Sequence, residues 1–365
     1  MDAFIDSEAD ILISAVAAKV QPIFLKKTFC QEEKRGIYRY LFSRCPKKVP
    51  PSMKNRLINL YDPMADRCRH FKDGLRWCLN TYVGCENACG YCYVNGYSRE
   101  NVGISPHCKS NFEKKLLEDL KDLEKFNVPV APLHISNSTD PLQNHLEITY
   151  RHTRFALCHI IKNRNQFTSV TILTKNPEML CDESYLSIIK QPEMKPFTVQ
   201  ITCAFWRDEA RRFFEPNAPS VKSRLKALGF LAQHGIDIEI RIDPLFPSRR
   251  IDLSIAKHKP LESYLLPEAQ THTDIENLVQ FAKGAGVRGI IGKTLKVPVS
   301  NRAKQCKEWF GDLYRDASGG QRSTKGGSWR LPDNYQEALI STVSDICRKT
   351  GVHFKHCMTD IRGRK

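Results

Sequence analysis

From about residue 75 to residue 300 the apolar positions follow two alternating rhythms. Short runs rich in β-branched and aliphatic residues fall at 75–83, 132–135, 169–173, 197–202, 236–242 and 287–295, and each reads as a strand. Between them apolar residues recur at gaps of three and four, as in Phe112, Leu116, Leu120 and Leu123, or Val221, Leu225, Leu228 and Leu231. That spacing puts one apolar stripe on a helix. Strands alternating with helices imply parallel strands joined by right-handed crossovers, so the pattern predicts an α/β fold, a partial (β/α)6 TIM-like barrel. In such barrels chemistry sits on the loops at the carboxyl ends of the strands.

The flanks follow other rules. Residues 1–74 read as a helical and irregular extension: Ile11, Ala15 and Ala18 can share a helical face, and the prolines at Pro46, Pro50 and Pro51 stop any helix that follows. Residues 62–70 read as a polar loop. Beyond the barrel, 75–300, residues 301–365 form a second extension. It holds a Gly/Ser/Thr-rich loop over 317–327, a helix from Leu331 with Asp333 as a candidate cap, a short strand over 352–354 and a basic end.

Composition adds two facts. The 365 residues carry 56 Lys and Arg against 40 Asp and Glu, a formal charge of +16, which favours a polyanionic partner such as nucleic acid. Fourteen cysteines without a leader sequence or a run long enough to span a bilayer suggest reduced thiols, a cytoplasmic setting and no membrane partner.

Three of those cysteines, Cys85, Cys89 and Cys92, lie in the spacing Cys-x3-Cys-x2-Cys, directly after the first predicted strand. Zinc sites generally use two short Cys/His pairs, whereas three close thiolates suit three irons of a [4Fe-4S] cluster with the fourth left open. Zinc, or no metal, remains the alternative. Gly84 and Gly90 suggest a loose loop, and Tyr91 and Tyr93 flank the last cysteine. Cys45, Cys68 and Cys78 are too irregularly spaced to suggest a second metal site.

The cysteine loop resembles the signature of the radical SAM superfamily. Residues 136–141 (Ser-Asn-Ser-Thr-Asp-Pro), 172–175 (Ile-Leu-Thr-Lys), 215–220 (Glu-Pro-Asn-Ala-Pro-Ser), 224–228 (Arg-Leu-Lys-Ala-Leu) and 241–247 (Arg-Ile-Asp-Pro-Leu-Phe-Pro) resemble its spore photoproduct lyase-like branch. The resemblance spans roughly residues 75–300. It implies a cluster on Cys85, Cys89 and Cys92 and S-adenosylmethionine (AdoMet) on the open iron, cleaved reductively to a 5′-deoxyadenosyl radical. An electron donor such as flavodoxin or ferredoxin is implied as well.

On the same resemblance Asn137, Ser138 and Thr139 map to AdoMet amino-group contacts, and Lys175 to a carboxylate or ribose contact. Thr202 is a ribose candidate. Arg241 is a carboxylate candidate, since a guanidinium grips a carboxylate in a fork, with a structural ion pair to Asp243 or Glu239 the competing role. Asp140 reads as a turn former. Tyr91 and Tyr93 are the catalytic candidates, one packing on AdoMet and one facing substrate. Spore photoproduct lyases use a cysteine as hydrogen donor in the second-strand loop; the matching position here is Asn137, so the substrate does not follow, and Cys203 and Cys158 are the substitutes to consider.

Trp206 to Phe214 mixes arginines with aromatics as nucleic-acid surfaces do, or else packs its rings inward. Ser248 to Arg250 and Arg322 to Lys325 add cations. The leading expectation is a radical SAM enzyme acting on nucleic acid, in lyase-type repair or nucleotide modification. The alternatives are a radical SAM modifier of a peptide or small metabolite, and a zinc-stabilised nucleic-acid-binding protein without catalysis.

Overall fold

The structure is a computed structural model and describes residues 56–60, 77–98, 101–125, 130–247, 261–317 and 328–356. The expectations for Ile11 to Ala18, for Pro46 to Pro51, for residues 62–70, for Cys45 and Cys68, for Ser248 to Arg250 and for Arg322 to Lys325 lie outside these residues.

The strands are β1 (Ile58–Leu60), β2 (Trp77–Leu79), β3 (Tyr82–Val83), β4 (His107–Cys108), β5 (Ala131–Ile135), β6 (Phe167–Thr174), β7 (Phe197–Thr202), β8 (Asp237–Leu245), β9 (Gly289–Thr294), β10 (Val297–Pro298), β11 (Ser328–Trp329) and β12 (Phe354–His356). One eight-stranded sheet runs in the order β1-β2-β5-β6-β7-β8-β9-β12. Only the β1–β2 pair is antiparallel. β3 with β4 and β10 with β11 form two small antiparallel ribbons. The helices among the described residues are α1 (Phe112–Lys125), α2 (Asn144–Tyr150), α3 (His152–Lys162), α4 (Glu183–Ile189), α5 (Asp208–Phe214), α6 (Val221–Gln233), α7 (His272–Gly284), α8 (Lys304–Ala317) and α9 (Asp333–Thr350). The predicted α/β architecture and open parallel sheet are present, with no pairing that closes the barrel among the described residues.

Side-chain alternation along the strands builds the cavity. In β7, Phe197, Val199 and Ile201 enter the hydrophobic core, while Thr198, Gln200 and Thr202 line the concave face. In β8, Ile238, Ile240 and Ile242 do the first and Glu239, Arg241 and Asp243 the second. Period-2 geometry makes this sorting automatic. The outcome is an apolar outer face under the helices and a polar inner face around a hollow.

Several elements differ from the pattern reading. The run at 75–83 is two strands. After Leu79 the chain leaves the sheet because the Asn80 side chain accepts the backbone N–H groups of Asn137 and Ser138, at 2.9 and 3.2 Å, while Tyr82–Val83 turns to pair with His107–Cys108. Strand β8 runs on to Leu245, past the expected end at 242. Asp333 is the first residue of α9, where its charge complements the helix dipole, and Pro332 holds the cap position. The tail strand is Phe354–His356, and it joins the main sheet as a further parallel strand beside β9.

Candidate functional site at the carboxyl ends of the strands

The cysteine loop is tightly held. Cys85 N–H donates to the Val102 carbonyl at 2.7 Å, and Gly90 N–H to the Phe214 carbonyl at 3.0 Å. Neither glycine loosens the loop, contrary to the pattern reading. Gly84 has φ +73°, and a Cβ there would meet Pro106 Cα and the Val102 oxygen at 2.9 Å. A Cβ on Gly90 would lie 2.5 Å from both Gln305 Oε1 and the Trp309 ring, so helix α8 sits directly on the loop.

Cys85, Cys89 and Cys92 line a single cavity of about 370 Å³. Burial, with the Asp140 carboxylate adding to it, pushes the Cys85 thiol up to about 12, and burial raises Cys89 and Cys92 as well. Among the described residues no three His, Cys, Asp or Glu side chains converge where one metal ion could sit. Three cysteines from one short loop facing a common cavity fit the donor set of a cubane cluster, one thiolate per iron.

The second-strand loop forms one wall. Ser136, with φ +70°, is buried, and its hydroxyl donates to the Thr139 carbonyl. Asp140 organises the turn: its carboxylate accepts from Asn87 Nδ2 (3.1 Å), Leu142 N–H (3.0 Å), Thr174 Oγ1 (2.8 Å) and Lys175 N–H (2.7 Å). That fixes the ends of β5 and β6 relative to the cysteine loop. Asn137, Ser138 and Thr139 line the cavity. The Asn137 amide also donates to the sulfur of Cys78 on β2, a contact that sequence spacing could not disclose. Neither Cys203 nor Cys158 lines the cavity: Cys203 is buried in the core just past β7, and Cys158 packs against the core from α3.

Beneath the loop lies a cluster of buried charge that pattern reading missed as such. Glu215 is fully buried and accepts from Arg224 Nη2 at 2.5 Å and from the Tyr91 hydroxyl, with Lys175 Nζ at 3.4 Å. Burial alone would raise the Glu215 pKa, but Arg224 and Lys175 outweigh it and hold the carboxyl below its ordinary value. For Lys175 burial works downward, and Glu215 and Cys89 more than offset it, so its pKa lies above the usual lysine value. Arg224 also donates to the carbonyl of Thr202, tying the end of β7 into the same knot. The signal was present in sequence as the 215–220 and 224–228 segments, but nothing in their spacing joins them to Tyr91 or Lys175.

The remaining candidates separate. Thr202 is buried at the cavity wall. Arg241 faces the cavity, with Nη2 on Asp243 at 2.7 Å and Nη1 on Gln200 Oε1 at 3.0 Å. Tyr91 is 6% exposed, packed edge-on against Phe246, whereas Tyr93 is 43% exposed at the rim, its hydroxyl on the Asn137 carbonyl at 2.6 Å. Trp206 to Phe214 packs largely inward, though Phe213 stays 51% exposed. Arg207 pairs with Asp274 and Glu268, Arg211 is buried among Asp208 and three carbonyls, Phe214 is fully buried, and Phe213 stands against Trp309 at 4.9 Å.

Comparison with known proteins places this geometry. No protein-family profile matches the chain. An uncharacterized protein of Methanocaldococcus jannaschii is 26% identical over 193 residues, 52% of this chain and 69% of that protein. An uncharacterized protein of Mycobacterium tuberculosis is 23% identical over 285 residues, 75% of this chain and 74% of the other. Among solved structures, a spore photoproduct lyase mutant with bound AdoMet and dinucleoside spore photoproduct superposes with a TM-score of 0.55 at 13% identity, covering 76% of this chain and 75% of that one. Spore photoproduct lyase complexed with the dinucleoside alone gives 0.54 over the same shares. The chain thus has the fold of spore photoproduct lyase. No helix among the described residues is long and apolar enough to cross a membrane.

Proposed function

We propose that this chain is a radical SAM enzyme in which Cys85, Cys89 and Cys92 hold a [4Fe-4S] cluster and the adjoining cavity holds AdoMet. What carries the reading is one observation: three thiols from a short loop and the Lys175 ammonium face a common cavity at the strand ends of a spore photoproduct lyase-like fold. When bound, cluster and AdoMet together supply one-electron chemistry and hydrogen abstraction.

The chain's own groups position and shield. Lys175, kept cationic by Glu215, offers a charge to a carboxylate at the cavity wall. Asn137, Ser138, Thr139 and Thr202 offer hydrogen bonds to amino and hydroxyl groups. Arg241 is committed to Asp243 and Gln200, which suits it to organising the inner face. The strand ends wall the cavity, and α8, seated against Gly90, backs the cysteine loop.

The substrate class we propose is nucleic acid, in lyase-type repair or nucleotide modification, with flavodoxin or ferredoxin as electron source in a cytoplasmic setting. The net charge of +16 and the dinucleoside bound by the structural neighbour support it. Anaerobic reconstitution with iron and sulfide, then AdoMet and a strong reductant, should yield 5′-deoxyadenosine from the wild type and none from Cys89→Ala. No product from protein with a full iron complement would sink the proposal.

A further inference from the structure

The rim of the cavity carries an aromatic and cationic shelf with no evident part in holding cluster or AdoMet. Tyr97 is 57% and Tyr93 43% exposed, with ring centroids 6.1 Å apart. Both hydroxyls are tied down, Tyr93 to the Asn137 carbonyl at 2.6 Å and Tyr97 to Ser138 Oγ at 3.1 Å. The hydroxyl bonds hold the rings in place, tilted 52° to each other, while about half of each residue stays open to solvent. Lys293 Nζ stands 5.7 Å from the Tyr93 centroid, at cation–π distance, and its side chain lines the cavity mouth.

Charge around the cavity favours an anionic visitor. Its lining holds six Lys and Arg against three carboxylates, and those carboxylates are already engaged: Asp140 by the turn, Glu239 by Gln200 and Lys355, Asp243 by Arg241. Four of those cations carry a carboxylate of their own, Lys175 on Glu215, Arg241 on Asp243, Arg288 on Asp237 and Lys355 on Glu239, so the cation that faces a visitor at the mouth is Lys293. Space sets the other limit. With AdoMet in a hollow of about 370 Å³, little room remains for a second ligand, so a substrate must rest at the rim and send one group inward.

We infer that Tyr93, Tyr97 and Lys293 form the substrate shelf, and that it takes a single nucleic-acid strand, one base stacked on the more exposed Tyr97 ring and the adjacent phosphate on Lys293. This rests on the radical SAM reading, because AdoMet in the cavity is what keeps the strand at the rim. Stacking on a fixed ring beside a cation is how sequence-tolerant single-strand sites work, whereas a paired base offers no free face.

The test is fluorescence anisotropy of the reconstituted full-length protein with AdoMet, using end-labelled single-stranded DNA and RNA 12-mers, the matching duplexes and an uncharged peptide of similar mass. Single strands should bind best, Tyr97→Ala should weaken them about tenfold, and Lys293→Gln should reduce the slope of log affinity against log salt by about 1. Circular dichroism melting confirms that each variant is folded. Folded variants that bind single strands with wild-type affinity and salt slope overturn the inference, as does wild-type preference for duplex or peptide. AdoMet binding by equilibrium dialysis reports the underlying reading separately: AdoMet retained with the shelf variants inert removes the shelf alone, and AdoMet not bound removes the reading it rests on.

Discussion

Two tyrosines stand on either side of Cys92, and the fold gives them opposite lives. Tyr91 turns inward, its hydroxyl on the buried Glu215 carboxylate and its ring against Phe205 and Phe246. Tyr93 turns outward to the cavity rim. The inner residue belongs to a charge network that fixes the cysteine loop to α5, α6 and the end of β6; the outer one presents a surface. Equal distance from a cysteine in sequence is therefore no guide to role, and what separates the two is whether a carboxylate waits beneath the loop.

The comparison can be broken most severely at Glu215. Replacement by Ala leaves Lys175 and Arg224 without their shared carboxylate, and should cost about 3–5 kcal/mol in denaturant unfolding, since a buried charge is left uncompensated. A cost below about 1 kcal/mol would mean that the network is not what holds the loop. Next in size is Tyr91→Phe, which removes one hydrogen bond to a charged group and should cost about 1.5–3 kcal/mol by the same measurement. Tyr93→Phe loses a partly exposed bond to a carbonyl and should cost less than about 1 kcal/mol, sharpening the contrast with its neighbour. Smallest of all is Arg212→Ala on α5. That side chain is 63% exposed, and the change should move stability by no more than about 0.5 kcal/mol and leave single-strand affinity unaltered. Loss of strand binding in Arg212→Ala would return α5 to the interface.

Much of this was readable from the chain because it depends on local periodicity. The run Phe-Thr-Val-Gln-Ile-Thr at 197–202 is a strand by composition, and its bounds coincide with β7. The cysteine spacing, the turn role of Asp140 and the cavity-lining positions of Asn137, Ser138, Thr139, Lys175 and Thr202 follow from their places at strand ends. What was not readable depends on contacts between distant segments. Trp206 to Phe214 has the composition of a nucleic-acid surface, yet Asp274 and Glu268, far along the chain, take Arg207, and Trp309 meets Phe213. Tyr97 and Lys293 lie far apart in sequence, and only the fold brings both against Tyr93. Glu215 shows the same limit, since its three partners come from three separate elements.

Strand β12 has a consequence for how the protein is made. Lys355, from that strand, reaches Glu239 on β8 at 2.6 Å and lines the cavity, so the inner face includes residues that are translated long after the cysteine loop. On the ribosome, Cys85, Cys89 and Cys92 emerge early, into a half-built sheet whose last parallel strand and overlying helix α8 do not yet exist. During that interval the loop that carries the thiols lacks its later cover. The order of synthesis thus leaves the cysteine loop uncovered until α8 docks against Gly90.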